Sequence, residues 1–266
     1  MLIAEQGPYM LMVRPDDIAI SPREVDEHFG TMVCFHPRYA LGDSHNYMDK
    51  DDFLREMYLD TVGHDEQGMK RYERMVNIVG GRNMRGPKTE EQAVDDAMLN
   101  VISGKYIMMP LYLTEHSGLA MHTECPRDPG GRVPDGWIYV SREDALKRSG
   151  AEKMTGAIKH EAEELMRDEV EVYDAYLRGE SYGYELYKNG GLLESCWGFN
   201  GRLEDACRDM AEHLPEECRG MVERLEEQEQ PAAIIKTLLR HAKIQIDQAA
   251  KASGQEPRRH APNTAR

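Results

Sequence analysis

The period of apolar positions changes several times along the chain, and each change predicts an element. Tyr9 to Val13 and Thr31 to Phe35 read as short strands, the second alternating and partly β-branched. Asp51 to Val62 predicts a helix: Asp51 or Asp52 can cap it, and Phe53, Leu54, Met57, Tyr58 and Thr61 share one face. Gln67 to Val79 gives a weaker helix stopped by Gly80-Gly81. Thr89-Glu-Glu-Gln92 has capping-box spacing and opens a helix reaching about Ser103. The pattern then turns to strands. Tyr106 to Leu113 and Leu119 to Thr123 flank a turn at Glu115-His116-Ser117-Gly118, and Trp137 to Val140 follows an irregular Pro- and Gly-rich stretch.

The clearest helix runs from about Gly156 to Arg178. Ile158, Ala162, Leu165, Met166, Val172, Tyr173, Tyr176 and Leu177 form its apolar stripe, with acids mostly opposite. Tyr182–Lys188 and Leu192–Phe199 are alternating runs around Asn189-Gly190-Gly191, a hairpin signal because the turn needs positive φ. Leu203 to Leu225 and Ala232 to Ala252 read as helical, with breaks at Pro215 and Pro231. The expected architecture is α+β. A central antiparallel sheet is packed by the long amphipathic helix, with a helical C-terminal extension. Residues 1–201 form the expected core domain, 202–252 the extension and 253–266 a disordered tail.

Charge narrows the partner classes. The formal net charge is −15, from 48 acidic and 33 basic residues. Direct nucleic-acid binding by the whole surface is disfavoured, because that affinity comes from neutralising phosphates. Residues 161–174 hold seven acids against Arg167 alone, and 202–230 hold ten acids against four bases. After Pro231 the sign reverses, which leaves the tail as the place where nucleic-acid contact is least disfavoured. No apolar run approaches the roughly 20 residues of a membrane span, and no signal peptide is expected. Five scattered cysteines suit reduced thiols and a cytoplasmic location.

The densest chemistry lies in Gly30–His45, which holds Cys34, His36, Arg38, Tyr39, Asp43 and His45. His36, Asp43 and His45, with His116, His122 and Cys125 as a second contributor, offer the imidazole, carboxylate and thiolate donors that hold zinc or another divalent metal. No CxxC or HExxH spacing supports them. The competing reading makes Cys34 core and has His36, Arg38 and Asp43 bond a long loop onto the sheet. Glu115-His116-Ser117 places catalytic residue types side by side, but adjacent residues rarely converge on one substrate. Gly80-Gly81 and Gly190-Gly191 lack the strand–loop–helix context of a phosphate cradle. Trp197 is read first as core of the hairpin and second as an exposed anchor for a partner. Glu161, Glu164, Asp168 and Glu171 lie on the acidic face of the long helix. That face is either a solvated surface or a binding surface for a basic partner.

The segments GTMVCFHPRYALGDSH, MMPLYLTEHSGLAMHT, CPRDPGGRVPDGWIYVSREDA, DEVEVYDAYLRGESYGYEL and ESCWGFNG, spread over roughly residues 30–201, resemble a family of uncharacterised proteins carried by bacteriophages, plasmids and integrative elements. The resemblance implies a genomic habitat and no defined activity. The Cys125–Pro134 loop departs from the CPWDSGQVG form usual in that family. The leading expectation is therefore an accessory protein that binds a host protein with a basic surface, such as an anti-defence inhibitor, with no cofactor. The alternative is a metal-dependent hydrolase acting on nucleic acid or nucleotide through His36, Asp43 and His45.

Overall fold

The structure is a computed structural model and describes residues 1–25, 27–81, 89–115, 118–125, 133–228, 238–240 and 243. In chain order the elements are β1 (Leu2–Gln6), β2 (Tyr9–Pro15), α1 (Pro22–Val25), β3 (Thr31–Cys34), α2 (Lys50–Val62), α3 (Glu66–Gly80) and α4 (Glu90–Ile102). Then follow β4 (Tyr106–Thr114), β5 (Ala120–His122), β6 (Gly136–Ser141), α5 (Arg142–Ser149), α6 (Gly156–Leu177), β7 (Ser181–Lys188), β8 (Gly191–Asn200), α7 (Leu203–His213), a 3₁₀ segment (Glu216–Arg224) and β9 (Glu226–Glu227). The class is α+β, with antiparallel pairing throughout the named strands.

The elements fall into two sheets and two compact units, one of residues 20–178 and the other of residues 1–19 with 179–266. The sequence reading drew one core domain over residues 1–201 and one sheet. The hairpin at 181–200 instead pairs with β2, and residues 203–227 pack onto that same sheet.

In the unit of residues 20–178 the strands run β3-β6-β4-β5. The alternation of each strand sends two apolar sets to opposite faces. Met32, Ile107, Met109, Leu111, Ile138 and Val140 face α6 and α5, where Ala162, Met166, Val170 and Tyr173 complete the cluster. Val33 and Trp137 face α2 and α4, packing with Phe53, Leu54, Met57, Tyr58, Met98 and Ile102. Phe53 stacks on Trp137 with ring centroids 5.4 Å apart. The sheet is thus covered on both faces. Asp49 caps α2, Asp65 caps α3 and Thr89 with Gln92 makes the full capping box of α4. On α6 the buried positions are Ala162, Met166, Val170, Tyr173 and Ala175, while Val172, assigned to the stripe from sequence, is exposed.

In the other unit the order is β8-β7-β2-β1-β9. One face carries Leu11, Val13, Tyr184, Leu186 and Phe199 against Met210, Leu214, Cys218 and Met221 of α7 and the 3₁₀ segment. The opposite face carries Ile3, Met10 and Met12, with Leu238 packed against them. The β7–β8 turn is Asn189-Gly190, with φ of 53° and 83°, the positive pair a two-residue hairpin requires. The predicted helix Leu203–Leu225 stops at His213, because Pro215 cannot continue it, and resumes as the 3₁₀ segment. Most of the predicted helix 232–252, and the predicted disordered tail 253–266, lie outside the described residues. No described helix is long and apolar enough to cross a membrane.

Candidate functional site

The Gly30–His45 segment leaves β3 and folds back on it. Gly42 bridges to Val33, and Asp43 N–H donates to Met32 O at 2.7 Å. Gly42 has φ +72°, and a Cβ there would lie 2.6 Å from Met32 O, so only glycine lets the return strand approach this closely. Its N–H donates to the Tyr173 hydroxyl on α6 at 2.9 Å.

Asp43 is the centre of a buried ion cluster. Arg23 of α1, with a side chain only 2% exposed, donates from Nε to Asp43 Oδ1 at 2.8 Å and from Nη2 to Oδ2 at 2.6 Å. The same guanidinium donates to Glu169 of α6 at 3.0 Å and to Gly30 O at 2.7 Å. Asp43 Oδ2 also accepts from Met32 N–H at 2.8 Å, and Glu169 accepts from the Phe29 and Gly30 N–H groups. Burial alone would lower the Arg23 pKa. The hydrogen bonds and charges of Asp43 and Glu169 outweigh burial and raise it. A fork-shaped donor held by two carboxylates is what allows a charge to be buried here.

His36 is equally committed. Its Nδ1 accepts from the Arg38 and Tyr39 N–H groups, both at 3.2 Å, so the ring proton sits on Nε2 and is donated to Glu115 Oε1 at 2.8 Å. Arg38 pairs with the other Glu115 oxygen and lies 5.5 Å from the Tyr39 ring centroid, while His36 stacks on Tyr39 at 5.0 Å. Glu115 is thus the one point where the 115–135 region meets the 36–45 loop among these bonds. His45 turns Nε2 to Cys34 O at 3.1 Å and sits between Phe35 and Tyr47, at 5.0 and 5.7 Å. Its Nδ1 is buried without a partner among the described residues. Burial, reinforced by Asp43 and Asp135, pushes the Cys34 thiol up to about 12, so it is no nucleophile near neutrality.

The five metal candidates among the described residues do not assemble. Asp43 spends both oxygens on Arg23, and His36 spends both nitrogens on Glu115 and the backbone. His122 and Cys125 line a different groove, of about 570 Å³, with Arg167, Glu171 and Asp174. His116 lies outside the described residues. Among those residues, no three His, Cys, Asp or Glu side chains are grouped to hold an ion.

The acids of α6 differ in what they meet, and Glu163 pairs with Lys159 at 3.2 Å. Glu169 turns inward to Arg23, and Asp174 accepts from Met121 N–H at 2.8 Å and pairs with Arg178 at 3.2 Å. Glu161, Glu164, Asp168 and Glu171 remain exposed. At 100° per residue they span an arc of about 80° on one side of the helix. Glu164 pairs with Arg167.

Trp197 belongs to the other unit and is 37% exposed, on the sheet face opposite α7. It lies flat on Gly183, where a Cβ would come within 2.1 Å of the ring. Arg14, held by Glu185 at 3.0 Å, sits 4.5 Å from the ring centroid. The ring is therefore neither buried in the core nor free of the sheet.

Sequence reasoning missed Arg23, Glu169, Glu115 and Tyr47. Arg23, Glu169 and Glu115 gain their roles from partners 20 to 146 residues away in the chain, which no local period marks, while Tyr47 packs on its near neighbours His45 and Phe53. The one available signal was an arginine following Pro22 in an otherwise polar loop. No protein-family model, curated protein or solved structure matches the chain.

Proposed function

We propose that the protein is an accessory protein of a mobile genetic element that acts by binding a host protein with a basic surface, as an anti-defence inhibitor would. The observation that carries this reading is the row Glu161, Glu164, Asp168 and Glu171, left exposed on one side of α6. Its neighbours Glu169 and Asp174 are consumed by the fold. Like charges four residues apart, as at Glu164 and Asp168, cost a helix roughly a few tenths of a kcal/mol. A rigid row of carboxylates repays that cost if a cationic groove receives it, because complementary charge speeds encounter and sets orientation. The helix is anchored along its other side by the sheet and by Tyr173, so the row is presented without further ordering.

The test is affinity capture of the tagged full chain from bacterial lysate, with and without nuclease. One host protein captured in near-stoichiometric amount and retained after nuclease supports the reading. Capture that disappears with nuclease points to nucleic acid, and an empty capture counts against protein binding.

A further inference from the structure

Strand β2 is buried on both faces. Every residue from Tyr9 to Val13 is buried. Tyr9, Leu11 and Val13 alternate toward α7 and the 3₁₀ segment, which cover them. Met10 and Met12 point the other way and are 0% and 7% exposed, with Ile3 of β1 beside them at 9%. Among the described residues, the apolar side chain that reaches this second face from outside the sheet is Leu238. One leucine is too small to cover three side chains on two strands. We propose that this face is the docking site of residues 231–249 of the same chain, seated as one amphipathic helix that completes the unit.

Four described residues set the phase of that helix. Leu238, Leu239, Arg240 and Lys243 are helical. Leu238 packs on the sheet, Leu239 is 64% exposed, and Arg240 and Lys243 are exposed. At about 100° per residue, Ile234, Ile235, Ala242, Ile246 and Ala249 fall within about 80° of Leu238. Lys236, Arg240, Lys243, Asp247 and Lys251 fall at least about 140° away. The apolar stripe of the sequence is therefore centred on the one residue seen seated on the sheet. Pro231 suits the first turn of such a helix, and Gly254 is the next breaker.

Size, reach and charge fit the same occupant. A helix is about 10 Å across and strands lie about 4.8 Å apart, so one helix covers about two strands. β1 and β2 carry Ile3, Met10 and Met12. Trp197, on the same face but two strands beyond β2, stays 37% exposed. The chain leaves the sheet at its β1 edge, where β9 pairs with Leu2 and Ile3 and Gln228 N–H donates to Met1 O at 3.0 Å. Leu238 follows ten positions later, a length that reaches across both strands. Arg240 reaches round to pair with Glu5, which shares the Ile3 face of β1. The segment brings Lys236, Arg240 and Lys243 against Asp247, to an edge that carries Glu5, Glu226 and Glu227. In this arrangement the bases after Pro231 are displayed from the outer side of a docked helix.

The test is a methyl NOE measurement on the full chain with ¹³C-labelled methionine and isoleucine methyl groups. Met10 and Met12 should show cross-peaks to at least one of Ile234 and Ile235. Ile244, about 120° from Leu238, is the control and should show none. No cross-peak from Ile234, Ile235 or Ile246, or an equal one from Ile244, would overturn the proposal. Cross-peaks seen only between differently labelled chains in a mixed sample would also overturn it and give the face to a second copy. Hydrogen exchange on two variants supplies an independent reading. An undocked helix of this length is marginal in water, so Leu238→Asp should speed amide exchange across 232–249 at least about tenfold. Leu239→Asp, on the exposed side, should leave that exchange within about twofold. Equal effects of the two substitutions would contradict the docked face.

Discussion

Arg23→Met removes the cation on which two elements of its unit converge. Arg23 donates four hydrogen bonds, two to Asp43, one to Glu169 and one to Gly30 O, from a side chain 2% exposed. Methionine approximates the aliphatic stem, so the packing loss is small and the electrostatic loss dominates. Breaking one partner of a buried pair costs about 3–5 kcal/mol because an uncompensated charge is left behind. Here two carboxylates are left, but their side chains are 25% and 19% exposed and keep backbone donors at Met32, Phe29 and Gly30. Partial hydration and those bonds place the expected cost near the lower end, about 3 kcal/mol. The assay is urea unfolding followed by Trp137 fluorescence in a Trp197→Phe background. The buried Trp137 then reports its own unit alone. With a urea slope of about 2 kcal/mol per molar, the midpoint should fall by about 1.5 M. Adding Asp43→Asn to Arg23→Met should recover part of the loss, since it removes one of the stranded charges. A loss under about 1 kcal/mol, or strictly additive effects, would refute the reasoning that Asp43 is held for the fold by a buried arginine.

Asp95 on α4 is raised to about 6 by burial first and then by Asp51, Glu91 and Asp96. A carboxyl bound more tightly to its proton when folded stabilises most below its unfolded pKa, and that contribution is lost as pH rises through about 6. Asp95→Asn should therefore leave stability unchanged near pH 4 and raise it by roughly 1 kcal/mol at pH 8, after discounting for a half-exposed group, in thermal melts at the two pH values. Iodoacetamide at pH 8 should label the exposed Cys125 and spare the buried Cys34 and Cys218 in the native chain, read by peptide mass spectrometry. Gly183→Ala would push a methyl into the Trp197 ring, so it should cost about 1–3 kcal/mol and shift Trp197 emission to the red in a Trp137→Phe background.

Local patterns were legible in the sequence where a single element carries its own signal. The Thr89–Gln92 capping box and the Asn189-Gly190 turn depend on residues within a few positions, whereas α2 begins earlier than its apolar face suggests and is capped by Asp49, with Asp51 and Asp52, the expected caps, inside its first turn. Long-range pairing was not legible. β2 pairs with β7 some 170 positions later, so nothing in either strand's alternation tells which sheet it joins. β1 escaped notice because Leu2 to Gln6 has no polar alternation of its own, and β9, at two residues, exists only as the partner of Leu2 and Ile3. At the site, residue types alone placed Asp43 and His45 side by side. Whether Asp43 faces an ion or an arginine is decided by Arg23, twenty residues earlier, and by Glu169, on a helix far beyond it. Glu169 and Asp174 looked like their neighbours in an acidic run, and only the packing of α6 separates those turned inward from those left exposed.

The central claim is that the exposed acids of α6 engage a basic partner. The most direct measurement compares the wild-type chain with the quadruple variant Glu161→Gln, Glu164→Gln, Asp168→Asn, Glu171→Gln, titrated calorimetrically against the captured host protein over a range of salt. All four side chains are exposed, so the variant should fold. The account predicts affinity at least about tenfold weaker and a flattened salt dependence. Unchanged affinity with an unchanged salt slope would contradict it.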